Sequence, residues 1–123
     1  MGYSVANILK ESSHDNLKKL SEKFDGVENR FHTKLVDSFK AAVLKDKKHT
    51  GEILEASVAT VEGFKEVRDR MVSYVEEAIK IEDSSQRHTK ISEASMVYEK
   101  TLNGLVDNLE IATQNIPKEA RNR

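Results

Sequence analysis

The chain has no cysteine, no tryptophan, a single proline and five scattered glycines in 123 residues, and it has no long apolar run. Each absence removes a class of protein. Without cysteine there are no disulfides, no thiolate chemistry and no cysteine metal site. No stretch approaches the roughly 20 apolar residues of a membrane span. The first ten residues offer neither a basic n-region nor a long apolar h-region, so no signal peptide is expected. Gly2 does not begin a myristoylation motif, because Ala6 stands where Ser or Thr is wanted. A cytoplasmic setting is the expectation. An excess of one charge is missing too: 20 Lys and Arg nearly cancel 21 Asp and Glu, for a net charge of −1. No overall field then draws the chain to nucleic acid.

What is present is charge and period. Charged residues make up 33% and hydrophobic ones 37%, against about 25% and about 45–50% in an ordinary domain. That balance suits long helices with a narrow buried face. The apolar residues Leu17, Leu20, Phe24, Val27, Phe31, Leu35, Phe39 and Val43 follow steps of three and four, which only an α-helix gathers on one side. From Leu17 to Phe31 the stripe is narrow, as in a two-helix seam. From Leu35 it widens to include Val36 and Ala42, which predicts deeper burial for this half.

Two further stripes follow. Leu54, Val58, Val61, Phe64, Val67, Met71, Tyr74 or Val75, and Ala78 form the predicted inward set of a second helix. Ile91, Ala94, Tyr98, Leu102, Leu105, Leu109, Ala112 and Ile116 form that of a third. Ser12 and Ser13 with Asp15, Thr50, and Asp83 with Gln86 supply the expected N-caps. Pro117 is expected to end the last helix, since the residue before proline is pushed out of the α region. Short connections force neighbours antiparallel. The predicted fold is therefore all-α: an antiparallel three-helix bundle of long coiled-coil-like helices with a short N-terminal helical segment. Residues 1–12 form that segment, residues 13–116 the bundle (helices over about 13–47, 52–81 and 84–115), and residues 117–123 a charged tail.

Catalytic and metal motifs are scarce. The histidines His14, His32, His49 and His88 stand at no metal-binding spacing from one another, and the one Glu-x-x-His (Glu11 to His14) lies at a helix start. A di-iron bundle needs two such motifs and two more inward glutamates. There is no phosphate-binding glycine loop and no nucleophile elbow. Glu76 and Glu77 fall on a polar helix face. No enzyme activity, metal or cofactor is expected. Nor does a family signature appear. The helical-hairpin substrates of type VII secretion carry a Trp-x-Gly turn and a tyrosine followed four residues on by an acid. Here Tyr3, Tyr74 and Tyr98 are followed by Asn7, Ala78 and Leu102.

The expected function is that of a non-enzymatic helical interaction or scaffold module, binding another protein or a second copy of itself through a coiled-coil-like face. Leu17, Leu20, Phe24, Val27 and Phe31 are the candidate interface. The alternative is an amphipathic bundle that binds lipid or an anionic membrane surface. With the first and third helices parallel, Lys40, Lys45, Lys47, Lys48, Lys118, Arg121 and Arg123 gather into a candidate basic tip, opposite an acidic tip of Glu76, Glu77, Glu82 and Asp83. Cations at helix C-termini complement the dipole in any case. The mid-helix glycines Gly26, Gly63 and Gly104 mark places where helices could approach closely or leave a groove.

Overall fold

The computed structural model describes residues 5–11 and 17–121, so the proposed cap at Ser12, Ser13 and Asp15, and His14, Arg123 and Tyr3, lie outside the described residues. The chain is all-α: a short helix α1 (Val5–Glu11) precedes three long ones, α2 (Lys18–Lys45), α3 (Thr50–Ala78) and α4 (Ser84–Arg121). No strand occurs among the described residues, and none of their helices is long and apolar enough to cross a membrane.

A ladder of side-chain bonds sets the register of α2 and α4. Tyr98 Oη donates to Glu28 Oε1 at 2.8 Å, Arg30 Nε to Glu99 Oε2 at 2.7 Å, Lys34 Nζ to Asn103 Oδ1 at 2.9 Å and Ser38 Oγ to Glu110 Oε1 at 3.0 Å. The partners are 69 to 72 residues apart all along the ladder, so α2 and α4 point the same way. The rings of Phe31 (α2) and Phe64 (α3) stack with centroids 4.9 Å apart, and α3 runs back between the two ends. Contacts are dense between α4 and each of α2 and α3, and sparser between α2 and α3. Helix α4 is thus the spine, and α1 packs on α2 and α3 near the start of α2.

The core is built from Leu17, Leu20, Phe24, Val27, Phe31 and Leu35 of α2 and its entry, Phe64, Val75 and Ala78 of α3, and Ile91, Ala94, Tyr98, Leu102, Val106 and Leu109 of α4, sealed by Val5, Ile8 and Leu9 of α1. Tyr98 is wholly buried against Phe24. Burial pushes its phenol pKa well above the usual value, and the carboxylate of Glu28 at its hydroxyl adds to the rise.

The turns combine expected and unexpected devices. Asp83 caps α4, its Oδ1 accepting from Gln86 N at 2.9 Å. Arg87, buried at this corner, donates from Nη1 to the carbonyl of Ile81 at 2.8 Å and so ties the turn to the helix that follows. Thr50 does not cap α3. Its hydroxyl donates back to the carbonyl of Lys47 at 2.8 Å, which lies in a 3₁₀ turn (Lys47–His49), and α3 starts at Thr50 itself. Nor does Pro117 end α4, which continues to Arg121. A proline removes one bond, here to the carbonyl of Thr113, and Gln114 and Asn115 are exposed, so water can take the freed acceptor.

Candidate interaction surface

The residues expected to form an interface with another chain are core. Leu17, Leu20, Phe24, Val27 and Phe31 are no more than 4% exposed. The narrow stripe is closed within one chain, because α1 and α4 both pack on this part of the bundle. The wider half of α2 is the shallower one, the reverse of the expectation from its breadth: Val36 is 47% exposed, and Phe39, Ala42 and Val43 are only half-buried. A broad apolar stripe needs a second neighbour to cover it, and α1, seven residues long, reaches only the other half of the helix.

Phe64, Val75 and Ala78 of α3 are buried as expected, but before Phe64 the helix buries the series one residue ahead of the expected one. Ile53, Ser57, Thr60 and Phe64 face inward, while Leu54 and Val58, expected inside, are each 52% exposed. The inward hydroxyls are satisfied locally. Ser57 Oγ donates to the carbonyl of Ile53 at 2.9 Å and Thr60 Oγ1 to that of Ala56 at 3.0 Å, so burying them leaves no orphaned polar group.

These departures lie on facing flanks. On α2, His32, Val36, Phe39 and Val43 follow steps of four, three and four and so form one stripe. That stripe is aimed at α3, since the His32 ring meets Phe64 edge-on with centroids 5.3 Å apart. On α3, α4 occupies one flank: a Cβ at Gly63 would lie 3.3 Å from Leu105 Cδ2, and Val67 and Met71 share a cleft with Val97. Leu54, Val58 and Val61 lie on the other flank, toward α2. By helical register the two stripes border the seam between α2 and α3 as a half-groove, from the His32–Phe64 contact to the α2–α3 turn. Beyond that contact α1 packs against the same two helices. Arg68 marks the boundary, its guanidinium 5.6 Å from the centroid of Phe64.

The rims of this half-groove differ in charge. Lys40 follows Val36 by one turn on the α2 side, and Glu55 and Glu62 border Val58 on the α3 side; all are exposed, and Glu62 is paired with Lys65 at 3.8 Å, which leaves Glu55 as the acid of that rim. At the turn end, Lys40, Lys45, Lys47 and Lys48 are exposed around Leu44, itself 73% exposed. His49 is not free to add to them, because its Nδ1 lies 2.8 and 2.9 Å from the two carboxylate oxygens of Asp46. The α4 contribution to this tip, Lys118 and Arg121, falls in the last turn of that helix. Glu76, Glu77 and Glu82 are exposed at the opposite end.

A shallow cavity of about 430 Å³ lies between the ends of α2 and α4, lined in part by Ser38, Lys45, Asp46 and Glu110, but no histidine enters it. Among the described residues no group of three or more His, Asp or Glu is placed to hold a metal ion. Sequence reasoning missed the half-groove, although a signal was there: α3 carries two apolar series one residue apart, beginning at Ile53 and at Leu54. Comparison of the chain with protein-family models, with curated proteins and with solved structures finds no match in any of the three.

Proposed function

We propose that this chain is a non-enzymatic helical interaction module that presents the half-groove between α2 and α3 to another helix. One observation carries the reading: α3 buries Ser57 and Thr60 and leaves Leu54 and Val58 about half exposed, opposite Val36. An isolated exposed aliphatic residue means little, but aligned ones on two facing helices form a patch of the kind that marks a binding site. The mode is a helix laid in a groove and read through residues at i, i+3, i+4 and i+7. Helix α1 uses such apolar spacing, with Val5, Ile8 and Leu9, against the same two helices.

The test is site-specific photo-crosslinking in the native host. A crosslinking side chain at Val58 should trap a discrete product, while one at Lys100, on the outer face of α4, should not. Equal trapping at both positions, or none at Val58, would refute the assignment of the surface.

A second reading rests on a different observation. Leu44 is 73% exposed among Lys40, Lys45, Lys47 and Lys48, and an apolar residue ringed by cations suits an anionic membrane surface. Co-sedimentation with phosphatidylserine vesicles at low salt checks it. Binding lost on Leu44→Glu would support it, and no binding would end it.

A further inference from the structure

We infer that the occupant of the half-groove is a second copy of this chain, packed about a two-fold axis parallel to the helices. The inference rests on the surface assigned above and names its partner. The Phe31–Phe64 stack fixes the relative heights of α2 and α3. Nine residues along α2 from Phe31 comes Lys40, and nine residues back along α3 from Phe64 comes Glu55. The two residues therefore stand at one level on opposite rims. A two-fold axis along the bundle keeps every residue at its height and sets α2 of one copy beside α3 of the other. Lys40 of each copy then faces Glu55 of the other, twice over.

The apolar residues match in the same way. Val36 and Val43 of one copy come level with Val58 and Leu54 of the other to within a turn, so the two open halves close into one four-helix core. The alternative two-fold axis, perpendicular to the helices, would lay α2 on α2 and α3 on α3. That arrangement forfeits the pairing of Lys40 with Glu55, which discriminates between the two packings. The surface is thus complementary to itself, as an isologous dimer interface must be.

The experiment is sedimentation velocity and light scattering on the full chain from micromolar to near-millimolar concentration. The expected result is a reversible rise from the 13.9 kDa chain mass to twice that value. Leu54→Glu with Val58→Glu should give a monomer at every concentration, with the helical circular dichroism of the parent. Lys40→Glu should weaken the dimer about tenfold by setting like charges together at two symmetric contacts, and adding Glu55→Lys should restore it to within about threefold. The charge-swap series stays decisive even if the apolar double variant folds poorly.

Three results would overturn the inference: a parent chain that stays monomeric throughout, a dimer indifferent to Leu54→Glu with Val58→Glu, or a charge swap that recovers nothing. A monomeric parent that still yields a crosslinked product at Val58 would sink the self-pairing and leave the interaction-module reading standing.

Discussion

Tyr98→Phe should flatten the alkaline side of the stability profile. The phenol is wholly buried between α2 and α4, and its hydroxyl donates to Glu28 Oε1 at 2.8 Å. Burial first, and then the neighbouring carboxylate, raise its pKa above the ordinary value. A raised folded-state pKa means that the contribution to stability is fully present below the unfolded-state pKa of about 10 and falls as pH climbs from there toward the folded-state value. Over that window the unfolded chain releases the proton while the native chain keeps it. Each pH unit then costs about 1.4 kcal/mol, or about 2 kcal/mol by pH 11.5. Any other ionisation over this window is common to parent and variant. The assay is urea unfolding followed by circular dichroism from pH 8 to pH 11.5 on both chains. The gap between them should narrow by about the stated amount, and a spectrophotometric titration should show one phenol ionising only on unfolding. Two curves falling in parallel above pH 10 would refute this account of the Tyr98 environment.

Other outcomes follow from burial and backbone geometry. Glu28→Ala should cost more than Tyr98→Phe at neutral pH: it strands a buried hydroxyl, at about 1–3 kcal/mol, whereas half-exposed Glu28 can turn to water. Ile53→Ala should cost about 2–5 kcal/mol and Leu54→Ala only about 0.5 kcal/mol, as thermal or urea denaturation of the two variants would show. The reverse order would mean that α3 has the phase its sequence suggests. Gly104→Ala should stabilise by about 0.5–1 kcal/mol, because an added Cβ meets nothing within 4 Å and the helix loses its most flexible interior residue. Gly63→Ala should gain less, since its Cβ would sit 3.3 Å from Leu105.

How much of this is legible in the sequence depends on what decides each feature. Helix identity is set by local period, and the three long helices follow from it. The cap at Asp83 is equally local and is found where its residue types predict. Depth is different. Leu17 to Phe31 reads as a seam for another chain because a narrow stripe needs only one neighbour. In the folded chain, however, that part of α2 has α4 along it and α1 packed at its start. A stripe gives the direction in which a helix wants cover, not which chain supplies it. The buried Arg87 is beyond local reading altogether, since its partners are the carbonyls of a turn whose shape comes from the packing of α3 on α4.

The phase of α3 shows how such a surface can arise. Phe64, Val75 and Ala78 must face inward, because Phe64 stacks on Phe31 and the other two belong to the buried core. A helix is stiff, so the residues four, seven and eleven before Phe64 follow it inward, and these are Thr60, Ser57 and Ile53. The two hydroxyls bond to carbonyls of their own helix, which makes their burial inexpensive. The second apolar series, Leu54 and Val58, is left on the flank for the same reason. Fully burying one such side chain is worth about 1.5–3 kcal/mol, so Val36, Leu54 and Val58, each about half exposed, hold on the order of 3 kcal/mol per chain that folding does not collect. Rolling α3 to recover it would pull Phe64 off Phe31, a loss of about 3–5 kcal/mol if it resembles truncation of the ring. Folding therefore draws on one face of the helix and leaves a second apolar series, Leu54 and Val58, on its flank. The aromatic pair holds the monomer in the register that keeps the second face open.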